Sequence, residues 1–253
     1  MKFRKMHGCG NDFIIINGFK EDIKNITFEQ RVFLSSLHFG IGSNGILYIL
    51  PSKIADIKMQ IFNSDGSEAE MCGNGIRCAS KYAKDENIVN NDKLLVETKS
   101  GIKTVELSDN IKIGMGRAIE LENPMSKYNL FCVSVGNPHA IMTVDNLENF
   151  SVMEIGKEIE NYEKFPNKTN VEFAQIIDKR TVKIRVWERG CGETLACGTG
   201  ACAVVFALYK NRLLDNKASV ELLGGTLEIE IDKNDNVLMS GNAVNVFDGE
   251  IKL

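Results

Sequence analysis

Apolar and polar positions along this chain alternate with two different rhythms. Short runs at residues 13–17, 57–62, 93–97, 102–107, 182–187, 219–223 and 227–231 are β-branched or alternating and are bounded by Gly, Asn and Asp, which predicts strands. Residues 76–84 and 201–209 carry a helical rhythm instead. The second stretch is apolar on almost every side, which predicts a buried central helix.

These two helices follow the same tetrapeptide pattern, and that exposes an internal repeat. Cys72-Gly-Asn-Gly75 precedes the first and Cys197-Gly-Thr-Gly200 the second. Each cysteine has a polar residue nine positions before it, Asn63 or Glu188, and a glutamate four before it, Glu68 or Glu193. Gly10-Asn11 likewise corresponds to Gly136-Asn137, and Ser43-Asn44 more weakly to Thr169-Asn170. Separate matches at nearly one offset, 125 or 126 residues, imply two homologous halves with an approximate two-fold relation.

The expected fold is therefore α+β. It has two pseudo-symmetric domains, each a mostly antiparallel, barrel-like sheet wrapped around a central helix. The expected division is residues 1–117, completed by the C-terminal strand 242–253, and residues 118–241. No Pro- or Ser-rich linker marks the junction, and residues 114–124 are the expected crossing.

Composition narrows the function. The 253 residues are 43% hydrophobic and 25% charged, enough for a sizeable core. A net charge of -4 argues against a surface built for nucleic acid or anionic lipid. No apolar run approaches the ~18–20 residues of a spanning helix, and the run after the basic N-terminus is too short for a secretion signal. A cytoplasmic protein with a small-molecule partner and no membrane or nucleic-acid partner is expected. Seven cysteines are too sparse for a disulfide scaffold, so the thiols should be mostly reduced. Their spacings contain no C-x2-C pair and the three histidines stand singly, so no metal site is expected.

A cysteine at the first turn of a helix sits among backbone amides without intrahelical partners, at the positive end of the helix dipole. That environment favours thiolate, so the pKa is expected to fall. The glycines after each cysteine leave the amides uncovered for an approaching carboxylate. Two such helix starts facing each other would share one carboxylate and set a sulfur on either side of the adjacent carbon. One thiolate would remove the α-proton from one face while the opposing thiol delivered a proton to the other, the pair carrying one proton between them. Amides aimed at the carboxylate would stabilise the developing carbanion, so no cofactor is required. Cys78 and Cys202, further along the helices, are expected in the core. Packing is also the expected role of Cys9, Cys132 and Cys191.

Several segments together resemble the diaminopimelate epimerase family over essentially the whole chain: Lys5 to Phe13, Phe62 to Cys78, Gly136-Asn-Pro-His139, Thr169-Asn-Val171 and Glu188 to Cys202. The resemblance implies cofactor-independent interconversion of LL- and meso-diaminopimelate, on the route to lysine and peptidoglycan. It implies Cys72 as proton donor and Cys197 as base in the LL-to-meso direction, with His139 and Glu188 as the polar pair beside the thiols. Glu188 would also meet the substrate amino group. The backbone amides of Gly73, Asn74, Gly198 and Thr199 would bind the α-carboxylate, and Asn11, Asn63, Asn137, Asn170 and Arg189 the distal head group. Arg189 suits the distal carboxylate because a guanidinium binds it through two parallel hydrogen bonds. A homodimer is also implied. The chain departs from the family pattern at Asn44, commonly Asp, and at Gly45 and Asn242; the first two bear on a distal contact.

Other readings remain open at this point. The same two-thiol chemistry could act on another amino acid, such as histidine or a thioether analogue of diaminopimelate. A single-cysteine hydrolase using His139 would form an acyl-enzyme, but leaves the second motif unexplained. A binding module would hold an amino acid without exchanging its α-hydrogen.

Overall fold

The computed structural model describes residues 1–253. In chain order its first elements are β1 (Lys2–Gly8), β2 (Asn11–Asn17), α1 (Phe28–Ser35), β3 (Gly45–Leu50), β4 (Ile57–Asn63) and β5 (Glu68–Ala69). They continue with α2 (Gly73–Asp85), β6 (Lys93–Thr98), β7 (Gly101–Glu106), β8 (Ile111–Arg117) and β9 (Ile119–Leu121). Next come β10 (Leu130–Ser134), β11 (Pro138–Thr143), α3 (Val152–Glu160), β12 (Asn170–Asp178), β13 (Thr181–Glu188) and β14 (Gly192–Thr194). The last are α4 (Gly198–Lys210), β15 (Lys217–Leu222), β16 (Gly225–Ile231), β17 (Asn236–Gly241) and β18 (Val244–Glu250).

The chain divides into two compact units, Met1–Ile113 with Gly241–Leu253, and Gly114–Ser240. In the first unit β1 pairs antiparallel with β2, β2 parallel with β3, β3 antiparallel with β4, and β4 parallel with β6. β6 and β7 form a hairpin, and β18 returns to the far side of β1. The strands wrap α2, which packs against β1, β2, β3, β4 and β6. Leu47, Ile57, Ile76 and Ala79 are fully buried in this unit, as are Ile14 and Ile46, which cluster with Leu34 of α1, and removing such side chains from water is the main drive for its closure.

The second unit repeats this pairing pattern. β10 pairs antiparallel with β11, β11 parallel with β12, β12 antiparallel with β13, and β13 parallel with β15. The β15–β16 hairpin corresponds to β6–β7, and the enclosed helix is α4, packed against β10, β11, β12, β15 and β16. Each unit is thus a largely antiparallel sheet around one helix, as the sequence repeat predicts. Residues Ala201 to Leu208 of α4 are all buried, in accord with their apolar composition.

The predicted strands and helices are all present, with ends shifted by up to three residues. α2 and α4 begin at Gly73 and Gly198, so each cysteine is the N-cap itself. β7 ends at Glu106, and the Leu107 amide still bonds to the Asp92 carbonyl at 2.6 Å, one step further along the β6–β7 hairpin. Two helices were not expected from the sequence pattern. α1 carries exposed Phe28, Val32 and Phe33, which blur its amphipathic pattern, yet a Thr27–Gln30 capping box fixes its start. α3 has Gly156 in its interior, where a Cβ would lie 2.7 Å from Trp187.

Candidate active site

In the first unit the chain leaves β5 and enters α2 through Cys72, which has extended backbone angles. The thiol, half-buried, makes no capping bond to the helix. It receives Asn11 Nδ2 at 3.7 Å, because the tight turn between β1 and β2 sets Asn11 at the start of β2. Cys9 and Gly10 both take positive φ in that turn. Gly73 and Asn74 form the first helical turn, where backbone amides lack intrahelical carbonyl partners. The Asn74 side chain points inward, its Oδ1 accepting from the buried Arg77 guanidinium at 2.7 Å. Only the backbone of Asn74 therefore suits the anion-binding role. Asn63 closes β4, exposed, its Nδ2 donating to Ser67 Oγ at 3.1 Å. Asn44 is tied to Asp12, whose carboxylate accepts the Asn44 amide at 3.0 Å while Asn44 Oδ1 accepts the Asp12 amide.

In the second unit Cys197 caps α4 with its own sulfur. The Gly200 amide donates to Sγ at 3.3 Å, and Thr199 Oγ1 lies 3.4 Å away. Here the structure corrects the expectation of a lowered pKa. Burial pushes the Cys197 thiol well up, and the negative charges of Glu188 and Glu172 push it further. Bonds from Thr199 and Gly200 oppose the rise without cancelling it. Desolvation outweighs the helix-start amides because Cys197 is buried and carboxylates approach it from the neighbouring strands.

Glu188, the last residue of β13, is also pushed upward by burial, with the Glu172 charge adding to it. Thr194 donates to its Oε1 at 2.5 Å, and Cys197 hydrogen bonds to it, both opposing the shift. His139, on β11, is fully enclosed; its Nε2 lies 3.1 Å from Asn137 Oδ1 and its Nδ1 2.7 Å from Glu172 Oε1. Asn170 opens β12 opposite His139, where Nδ2 donates to the Pro138 carbonyl and Oδ1 accepts the Arg189 amide, each at 3.0 Å. The Arg189 side chain is exposed and donates from Nη1 to the Asn167 carbonyl at 2.8 Å.

The second unit thus gathers Cys197, Glu188, His139, Asn137, Asn170 and Arg189. The first gathers Asn11 and Cys72, with Asn63 at the C-terminal end of β4. Cys9, Cys78, Cys132 and Cys202 are buried as expected. Cys191 is exposed instead, because the tight turn between β13 and β14 carries it to the surface. Sequence reasoning missed Glu172. Its signal was a lone acidic residue inside the apolar run Val171-Glu-Phe-Ala174 of a strand. No group of three or more His, Cys, Asp or Glu side chains is placed to hold a metal ion, and no helix is long and apolar enough to cross a membrane.

The fold, two sheets each wrapped around one helix, is shared with a Bacillus anthracis phenazine biosynthesis protein of the PhzF family. That structure matches with a TM-score of 0.80 at 17% identity, covering 100% of this chain and 99% of the other. At the sequence level, the family model for diaminopimelate epimerase matches residues 3–120 and 131–246, and the chain belongs to that family. Diaminopimelate epimerase of Methanococcus maripaludis strain C6 is 48% identical, with both chains covered in full. The enzyme of the same name from Acetivibrio thermocellus is 46% identical over 100% of this chain and 99% of its own.

Proposed function

We propose that this protein is an isomerase that interconverts LL- and meso-diaminopimelate without a cofactor, in the formation of lysine and peptidoglycan precursors. The observation that carries the reading is the repeated cysteine N-cap, Cys72 on α2 and Cys197 on α4, in a chain of this family. In the LL-to-meso direction Cys197 takes the α-proton, breaking Cα–H and forming S–H, while Cys72 gives its thiol proton to the opposite face of the same carbon. In reverse the roles exchange. The reaction requires both sulfurs to meet one Cα when substrate is bound.

Cys197 must lose its proton before it can act. Its hydrogen bond to Glu188 supports transfer of that proton to the Glu188 carboxylate when the substrate ammonium arrives. A thiol pushed upward by burial is a stronger base once ionised, which suits a weakly acidic α-C–H. The amides of Gly73, Asn74, Gly198 and Thr199 hold the α-carboxylate and stabilise the charge that develops next to it. His139 completes the polar pair with Glu188. Asn11, Asn63, Asn137, Asn170 and Arg189 bind the distal head group. The protein works in the cytoplasm as a homodimer.

Incubation with LL-diaminopimelate in heavy water tests the reading. The expected product is meso-diaminopimelate carrying solvent deuterium at the inverted carbon, and Cys72→Ala and Cys197→Ala should each abolish it. Absence of turnover on LL-diaminopimelate, or full epimerisation by Cys197→Ala, would sink the proposal. Parallel assays with histidine separate the related substrates.

A further inference from the structure

Glu172 is buried completely on β12, two residues after Asn170. Its Oε1 lies 2.7 Å from His139 Nδ1 on β11. The same oxygen reaches the first turn of α4, where a Cβ on Gly200 would fall 2.5 Å from it. Gly200 must therefore lack a side chain for this carboxylate to fit. The second oxygen, Oε2, is buried without a protein hydrogen-bond partner. A buried carboxylate oxygen without a hydrogen-bond partner costs stability, so its presence here calls for a functional explanation.

Resting on the epimerase reading, we propose that Glu172 is a positioning residue of this site: its carboxylate anchors the His139 ring through Nδ1 and rests on the Gly200 turn, tying imidazole and cysteine-capped helix start into one rigid piece. With Nδ1 held by Glu172, the ring turns Nε2 toward Asn137, the only direction left for its second nitrogen to act. The groups facing this cluster are His139 from β11, Glu188 from β13, and Cys197, Thr199 and the Gly200 amide from α4. Among them, the Glu172 charge acts on the thiol in the same direction as Glu188, upward.

Two variants separate the functions of shape and charge. Glu172→Gln keeps the volume and a polar contact to Nδ1 but removes the charge, whereas Glu172→Ala removes both. Alkylation of Cys197 by iodoacetamide, followed by peptide mass spectrometry across pH, reads thiolate formation without any substrate. Its midpoint should move to lower pH in Glu172→Gln, because one cause of the upward shift is gone. On LL-diaminopimelate, Glu172→Ala should lose kcat on the order of 100-fold with KM within about threefold, the scale expected when a catalytic group is misplaced by about 1 Å. Glu172→Gln should recover part of that loss. An unmoved alkylation midpoint in Glu172→Gln, or kcat within about threefold of wild type in a folded Glu172→Ala, overturns the proposal. If wild-type protein fails on diaminopimelate, the epimerase reading falls while the alkylation profile still decides the role of Glu172.

Discussion

Thr194 donates its hydroxyl to Glu188 Oε1 at 2.5 Å, joining the last strand before α4 to the carboxylate beside Cys197. Burial raises the Glu188 carboxyl and this bond opposes the rise. Thr194→Val should therefore let it climb further, since the ionised form loses a donor. A hydrogen bond to a charged group is worth roughly 1.5–3 kcal/mol, so a shift of about one to two pH units is expected. If ionised Glu188 receives the Cys197 proton, the acid limb of kcat/KM should move upward by that amount. Thr194→Ser should leave the limb in place, and equal profiles for all three proteins would remove Glu188 from the proton path.

A second prediction concerns stability at high pH. Burial pushes the Cys78 thiol, inside α2, up to about 12 from an ordinary 9.0, and Cys132 up to about 11. With the folded value above the unfolded one, each thiol's contribution is fully present below pH 9 and lost as pH rises toward the folded value. At pH 10.5 the loss through Cys78 is about 2 kcal/mol, from a displacement of about 1.5 units at 1.36 kcal/mol each. Urea melts of wild type and Cys78→Ala at pH 8 and pH 10.5 check this. The variant starts less stable because of the cavity, but its decline between the two pH values should be smaller by about that amount.

The parts of this fold legible in the sequence were those with a local cause. α2 and α4 follow from Cys-Gly-x-Gly with an apolar run, and strands such as β4 from alternation, with Ile57, Met59 and Ile61 inward and Lys58 and Gln60 partly outward. β3 was harder, because the unbroken apolar run of residues 46–49 carries no period that separates a buried strand from a short buried helix. β18 offers no pattern at all, since Val244 to Asp248 are exposed, and its place comes from pairing with β1 across a register shift near Lys5 and Met6. The site divides in the same way. Cys72 and Cys197 announce themselves by repetition, whereas the upward push on Cys197 comes first from its burial and then from Glu188 and Glu172 on β13 and β12, neither of which local sequence can supply.

Gly156 faces Trp187 with no space between them: a Cβ there would lie 2.7 Å from both Cβ and Cγ of the tryptophan. Trp187 is held from its other end by Nε1 donating to Glu160 Oε2 at 2.8 Å, so it cannot retreat freely. Gly156→Ala should cost about 1–3 kcal/mol despite the better helix propensity of alanine. Trp187 is the single tryptophan in the chain, so its fluorescence reports the displacement directly. An unchanged emission spectrum together with unchanged stability would show that α3 shifts without strain.

Asn170 joins two backbone segments that the proposed reaction needs in register. Its Nδ2 donates to the Pro138 carbonyl, next to His139, and its Oδ1 accepts the amide of Arg189. Both bonds lie at a residue only 4% exposed, so water cannot easily replace them. Asn170→Asp keeps the acceptor for Arg189 but sets a carboxylate oxygen against the Pro138 carbonyl, where two acceptors repel. Asn170→Ala loses both contacts, with an expected cost of about 1–3 kcal/mol for each polar group left buried. If Arg189 binds the distal head group as proposed and Asn170 positions it as well as β11, Asn170→Asp should keep a KM for diaminopimelate closer to wild type than Asn170→Ala while losing comparable kcat. Steady-state kinetics of the two variants decide the matter, and equal KM values would confine Asn170 to the β11 side of the site.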